Sequence, residues 1–304
     1  MTAEEERGTN MRRTIDVGGT VRTYTVVGEQ NSTQHRDLVL IFHGSKQNGD
    51  THRRFTGRAF DAMAGSGAAV VAYLDGYKGN WNDARKESSF PARLENVDDV
   101  GFAAGVINDL EASYGIDRER VFALGYSNGG QMVFRLIHER PDLFAGAAVF
   151  SATMPAPENF QLPFPVPQTV AMPLLLIHGT KDRVVPYRGG TMRGWARRMF
   201  KAGGVTRSMP ATAEYFARRN QITSDPVVNR VPKAAGASST TWIEQTDYRQ
   251  ADHPAVRLFT VHNGGHTIPG PAKAPFILGK TGQDISAAAA TAAFFDIAPR
   301  RVRV

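Results

Sequence analysis

Gly125-Tyr126-Ser127-Asn128-Gly129-Gly130 reads G-x-S-x-G. Before it lies the short apolar run Arg120-Val121-Phe122-Ala123-Leu124, and after it the helical pattern Gln131-Met132-Val133-Phe134-Arg135-Leu136-Ile137. A serine at a sharp strand-to-helix turn exposes its hydroxyl beside the unpaired N–H groups of a helix start, where a negatively charged oxygen is favoured. Gly125 and Gly129 suit such a turn because no Cβ obstructs the close approach of strand and helix. A bare G-x-S-x-G also arises in ordinary glycine-rich turns. The strand before it and the helix after it are what predict a nucleophile turn.

The same alternation extends in both directions. Residues 14–17 and 22–27 flank Gly18-Gly19 and predict a β-hairpin. The continuous apolar runs at 38–42 and 68–74 predict strands covered on both faces, with helical character between them at 51–64. Val97, Val100, Ala104, Ile107, Leu110 and Tyr114 recur at helical spacing over 95–114, and Gly115 supplies a stop. Further strands are predicted at 144–150, 171–177 and 256–261, and an alanine-rich helix at 285–295. The expected class is α/β, a mostly parallel, doubly wound sheet with antiparallel strands at its N-terminal edge. One domain is expected over 11–304, after a disordered 1–10. The stretch 188–208 interrupts the rhythm with Trp195, Met199 and Phe200 among Arg193, Arg197, Arg198 and Lys201, and is expected to be a lid or a surface insertion.

With 304 residues, 41% hydrophobic and 21% charged, the chain can bury a sizeable core. It contains no cysteine, which excludes disulfides, thiolate catalysis and cysteine-ligated zinc. The net charge of +7 is dispersed in pairs such as Arg53-Arg54 and Arg300-Arg301, and no nucleic-acid motif accompanies it. No apolar run approaches a membrane span, and the polar N-terminus is unlike a signal peptide. The chain as given therefore suits the cytoplasm, or a secreted or periplasmic place if a leader has been removed.

A serine hydroxyl needs a base within hydrogen-bond reach, and the base needs an acid to orient it. When the nucleophile sits on such a turn, acid and base follow it in the chain. Three downstream histidines compete: His178, His262 and His266. Gly264-Gly265 immediately before His266 would let a loop carry the imidazole back over the strand ends, which favours His266 over His262. Asp182 follows the strand ending near Ile177 and is the candidate acid. His43-Gly44-Ser45-Lys46-Gln47 follows an early strand and can supply a backbone N–H. The expected oxyanion donors are the N–H groups of Ser45 and Asn128, with His43 supporting their loop. No metal or cofactor is expected.

His43-Gly44-Ser45-Lys46-Gln47, the Ser127 turn, His178-Gly179-Thr180-Lys181-Asp182 and Gly264-Gly265-His266-Thr267-Ile268-Pro269-Gly270 occur in family order. Together with Trp81-Asn82 and Val97-Asp98-Asp99-Val100 they resemble the polyhydroxybutyrate depolymerase and feruloyl esterase group of α/β-hydrolases (LpqC-like), over about 38–295. The resemblance implies a Ser127–His266–Asp182 triad acting on carboxylic esters. It puts Trp81, Asn82, Tyr126 and Ile268 on the substrate side. The chain departs from the family at Ser45, often cysteine there, and at Ile268, often tryptophan. It also lacks an appended polymer-binding module, which weakens the case for attack on solid polymer. Hydroxybutyrate oligomers, feruloyl esters and short-chain acyl esters are the expected substrates. A serine peptidase, an acyltransferase or a non-catalytic binding protein on the same scaffold remain open, as does the oligomeric state.

Overall fold

The structure is a computed structural model describing residues 10–30, 35–163, 170–192, 194–200, 202–233 and 240–298. Of the expected disordered stretch 1–10, Asn10 instead opens the first strand and the rest lies outside the described residues, as do the Arg300-Arg301 pair and Arg193 and Lys201 of the insertion.

Six parallel strands make the centre of the sheet. They are β3 (Arg36–Phe42), β4 (Ala69–Leu74), β5 (Ile116–Tyr126), β6 (Gly146–Phe150), β7 (Leu174–Gly179) and β12 (Val256–His262), in the order β4-β3-β5-β6-β7-β12. Their apolar runs are continuous because both faces are covered. Leu38, Leu40 and Phe42 pack with Val106, Met132 and Phe216 on one side, while Val39 and Ile41 pack with Phe60, Met63 and Ala288 on the other. Successive side chains of a strand point to opposite faces, so one run feeds two cores. The first core is closed by α2 (Asp99–Tyr114), α3 (Asn128–Glu139) and α5 (Met209–Arg219), and the second receives α6 (Ala287–Phe295). Two shorter helices are α1 (Gly49–Phe55) and α4 (Gly194–Phe200).

The expected hairpin is present. β1 (Asn10–Val17) and β2 (Thr20–Val27) pair around Gly18-Gly19, whose φ values of 57° and 83° suit a two-residue hairpin turn. β2 then lies antiparallel against β4. The opposite edge is also antiparallel, which the sequence reading did not include. There β11 (Trp242–Tyr248) pairs with β12, and β10 (Val227–Arg230) with β11. Glu244, Gln245 and Asp247 interrupt the apolar pattern of β11, and every residue of β10 is exposed. Edge strands carry little of the core pattern that marks a central strand. Helix α5 was also unread, although Ser208 caps it by accepting from Ala211 N–H and Pro210 stands in its first turn. Among the described residues no helix is long and apolar enough to cross a membrane.

The segment 188–208 folds as a small two-stranded unit, β8 (Gly190–Thr191) with β9 (Val205–Thr206), around α4. It is fastened to the body by backbone bonds from Ala156 N–H to Val205 O, Arg207 N–H to Met154 O and Gly203 N–H to Glu87 O, at 3.0, 2.9 and 2.8 Å.

Three buried histidines set an expectation for acid stability. Burial, the dominant cause in each, lowers His43 to about 4 and His52 and His138 to about 3. They stay neutral in the fold, whereas in the unfolded chain they take up protons below about 6.5. Their contribution is therefore complete above that value and is lost as the pH falls toward 4 and 3. Up to three extra protons bound on unfolding give a slope of roughly 4 kcal/mol per pH unit at most. Urea midpoints measured from pH 7 to pH 4.5 should fall steeply below pH 6. A flat profile down to pH 4.5 would contradict the buried neutral state.

Candidate active site

Strand β5 passes to α3 through Ser127, whose φ of 54° and ψ of −114° lie outside the ordinary basins of an L-residue. Its N–H donates to Phe150 O of the next strand at 2.9 Å, pinning the turn to the sheet. A Cβ on Gly125 would stand 2.2 Å from Gly129 O, and one on Gly129 would stand 2.0 Å from Phe42 O. Neither glycine has a positive φ. Both are needed for close approach of backbone to backbone.

Asn128 opens α3, and the first N–H groups of a helix have no acceptor within it. Its side chain is held at both ends. Oδ1 accepts Trp81 N–H at 3.0 Å and Nδ2 donates to Asp83 Oδ2 at 2.6 Å. Asp83 is fully buried and is gripped in turn by Arg85, whose guanidinium donates to both carboxylate oxygens at 3.1 and 2.5 Å. In the facing turn after β3, Gly44 N–H donates to Gln47 Oε1 and Lys46 N–H to Gly79 O. Ser45 N–H, between them, has no acceptor among the described residues. His43 is buried beneath this turn. Its Nδ1–H donates to Gly44 O at 2.7 Å and its Nε2 accepts Gly76 N–H at 2.8 Å.

The loops after β7 and β12 bring Asp182 and His266 to the serine. His266 Nε2 lies 2.9 Å from Ser127 Oγ, and its Nδ1 lies 2.7 Å from Asp182 Oδ2. Asp182 Oδ1 accepts the N–H groups of Val184 and Val185, each at 2.8 Å. Burial alone would raise the Asp182 carboxyl. The charge and hydrogen bonds of His266 and His178 outweigh it and hold the group below the usual carboxylate range. An ionised Asp182 requires the proton on His266 Nδ1, which leaves the Nε2 lone pair facing the Ser127 hydroxyl.

His178 takes a different place from the one the sequence offered it as a rival base. Its Nε2 lies 2.9 Å from Val185 O and 3.2 Å from Asp182 Oδ2. Both neighbours are acceptors, so Nε2 carries the proton and His178 supports the acid. His262 points elsewhere and stacks on Trp242 with ring centroids 3.6 Å apart. The glycines before His266 act by proximity rather than by unusual φ, since a Cβ on Gly265 would stand 2.1 Å from Leu278 O. The turn itself is made by Asn263, at φ 61°.

The residues expected on the substrate side lie inward. Trp81 is 0% exposed, because its indole N–H donates to His43 O at 2.9 Å and its ring packs edge-on against Phe42. Asn82 is 1% exposed, its amide donating to Val97 O at 3.0 Å and its N–H to Asp99 at 2.7 Å. Ile268 is buried in the second core. Tyr126 is buried too, but it serves the site. Its hydroxyl donates to His266 O at 2.7 Å and its ring lies 5.1 Å from the imidazole. Burial raises the Tyr126 phenol well above its ordinary value, so the hydroxyl keeps the proton it donates. Asp83, Tyr126 and His178 are the supports that sequence reading missed in that role. Their partners are 45, 140 and 4 residues away, and only His178 stood near enough in the chain to be suspected.

The profile of the family described as "Phospholipase/Carboxylesterase" matches residues 93–199, a stretch that contains the Ser127 turn and Asp182. The protein described as "Putative esterase NocK" from Nocardia uniformis subsp. tsuyamanensis is 30% identical over 288 residues, covering 92% of this chain and 80% of that protein. Feruloyl esterase B of Piromyces equi is 29% identical over 128 residues, 40% of this chain and 22% of that protein. Among solved structures, the acetyl xylan esterase from Aspergillus awamori superposes with a TM-score of 0.58 at 14% identity, over 95% of this chain and 100% of that one, which is a likeness of fold. The sheet order, the serine turn and a 30% identical esterase matched over 80% of its length together place the chain in the carboxylesterase-type family of α/β-hydrolases.

Proposed function

We propose that the chain is a serine carboxylesterase that works through an acyl-enzyme on Ser127. The observation that carries the reading is the unbroken relay Asp182–His266–Ser127, at 2.7 and 2.9 Å. His266 Nε2 accepts the Ser127 proton as Oγ attacks the ester carbonyl. The tetrahedral oxyanion is received by the N–H groups of Asn128 and Ser45. His266 then protonates the leaving alcohol, and water drawn through the same imidazole releases the acid. Asp182 holds the imidazole in the required tautomer and stabilises its charged form. The steps use only the chain's own residues and water. Short acyl and hydroxycinnamoyl esters are the proposed substrates, in line with the esterase relatives, and hydroxyalkanoate oligomers follow from the motif resemblance.

Two measurements test this together. The protein should hydrolyse p-nitrophenyl acetate or butyrate, and a fluorophosphonate should label it once, on the peptide containing Ser127. A protein that neither turns over the esters nor takes the label would remove the reading.

A further inference from the structure

The most exposed large apolar side chain among the described residues is Phe276, at 98%, and Ile277 beside it is 69% exposed. Both stand at the tip of the loop 270–282, which leaves the His266 segment and returns before α6.

The loop is a built protrusion. Gly270 N–H donates to Gly282 O and Ala274 N–H to Thr281 Oγ1, each at 3.1 Å, which closes its neck. At the tip, Leu278 N–H donates to Pro275 O and Gly279 N–H to Phe276 O, each at 2.9 Å. The returning limb is bonded to the active site. Leu278 O accepts His266 N–H at 2.7 Å, and Lys280 O accepts Gly265 N–H at 2.9 Å. Phe276 is two residues from Leu278, so their Cα atoms are at most about 7 Å apart.

A phenylalanine and an isoleucine left in water forgo the burial that places such residues in cores. Their surroundings indicate what covers them. Lys273 and Lys280 flank the tip in the chain and both are exposed, and no acidic residue occurs between Asp252 and Asp284. Lys280 Nζ donates to Thr240 Oγ1, and among the described residues neither lysine has a carboxylate partner. Apolar side chains on a protruding tip flanked by cations match a bilayer with anionic headgroups. The side chains enter the acyl boundary while the ammonium groups stay at the phosphates. A second copy of the chain fits less well. The two side chains offer on the order of 300 Å², far below the roughly 1,200 Å² of a stable interface.

We propose that the loop 270–282 docks the chain on an anionic phospholipid surface, with Phe276 and Ile277 inserted among the acyl chains and Lys273 and Lys280 at the headgroup phosphates. The chain then lies on the bilayer without spanning it, and the His266 segment faces the interface. The docking goes beyond the esterase reading and does not rest on it.

The test is co-sedimentation of the full chain with two kinds of vesicle: phosphatidylcholine alone, and phosphatidylcholine with an equal part of phosphatidylglycerol. Binding to the mixed vesicles should be at least about tenfold tighter, and added salt should narrow the difference. Phe276→Ser/Ile277→Ser should weaken binding to the mixed vesicles about tenfold or more. Lys273→Gln/Lys280→Gln should remove most of the preference for the anionic lipid. All four side chains are exposed, so both variants should hydrolyse dissolved p-nitrophenyl acetate within about twofold of wild type. Absence of binding, equal binding to both vesicles, or binding untouched by the serine pair would overturn the proposal. Self-association lost in the serine variant, without vesicle binding, would assign the tip to a second copy of the chain and overturn it as well. Vesicle binding by a protein without ester turnover would leave the docking standing and remove the esterase reading.

Discussion

Alanine at position 127 is expected to lower kcat for p-nitrophenyl butyrate by about 10⁵-fold or more, with an unchanged circular dichroism spectrum. Ser127→Ala removes the only atom that His266 Nε2 faces along the relay and leaves the relay otherwise intact. Ser127 is half-buried and its backbone is held by the Phe150 carbonyl, so the turn does not depend on Oγ. What remains is ester binding beside two backbone donors, and in related machinery that alone still exceeds water by roughly 10³–10⁴. The fluorophosphonate label should disappear with the activity. A Ser127→Ala variant that retains turnover within tenfold of wild type would place the chemistry on another residue.

Asp182→Asn should cost about 10⁴ in kcat at neutral pH for a different reason. The two N–H groups of Val184 and Val185 claim one oxygen of residue 182, so the asparagine amide nitrogen is forced toward His266 Nδ1 and His178 Nε2. Facing a donor, His266 must turn its lone pair to Nδ1 and carry its proton on Nε2. It then has nothing with which to accept the Ser127 proton. His178 Nε2–H meets the same amide, so some loss of stability accompanies the loss of rate. The variant should label with fluorophosphonate in proportion to its residual kcat and should keep KM within a few-fold. An Asp182→Asn enzyme with near wild-type kcat would show that the carboxylate is only structural.

Much of the site could be read from the chain because its parts are local. The Ser127 turn, the strand before it and the helix after it are consecutive, and Asp182 and His266 each follow a strand end that the apolar runs reveal. The central strands were visible for a related reason, since burial on both faces leaves no polar residue to blur them. β10 and β11 were not, because the water-facing edge strand β10 and its half-buried neighbour β11 are coded by Val227, Asn229, Glu244 and Gln245 as readily as a loop would be. Trp81 was misplaced because an indole in a polar loop looks like a ligand platform. Its acceptor, His43 O, is 38 residues away and leaves no mark on the local pattern.

The backbone at Ser127 sets stability against activity. A positive φ with ψ near −114° is strained for every residue except glycine, at a standing cost of about 1–3 kcal/mol. Glycine at 127 would relieve that strain and would be inert. Backbone stability alone would favour glycine at this position, whereas the neighbouring Gly125 and Gly129 answer to close approach of backbone to backbone. Serine stands where the backbone disfavours it, so the fold bears a standing cost that only the hydroxyl facing His266 offsets in use.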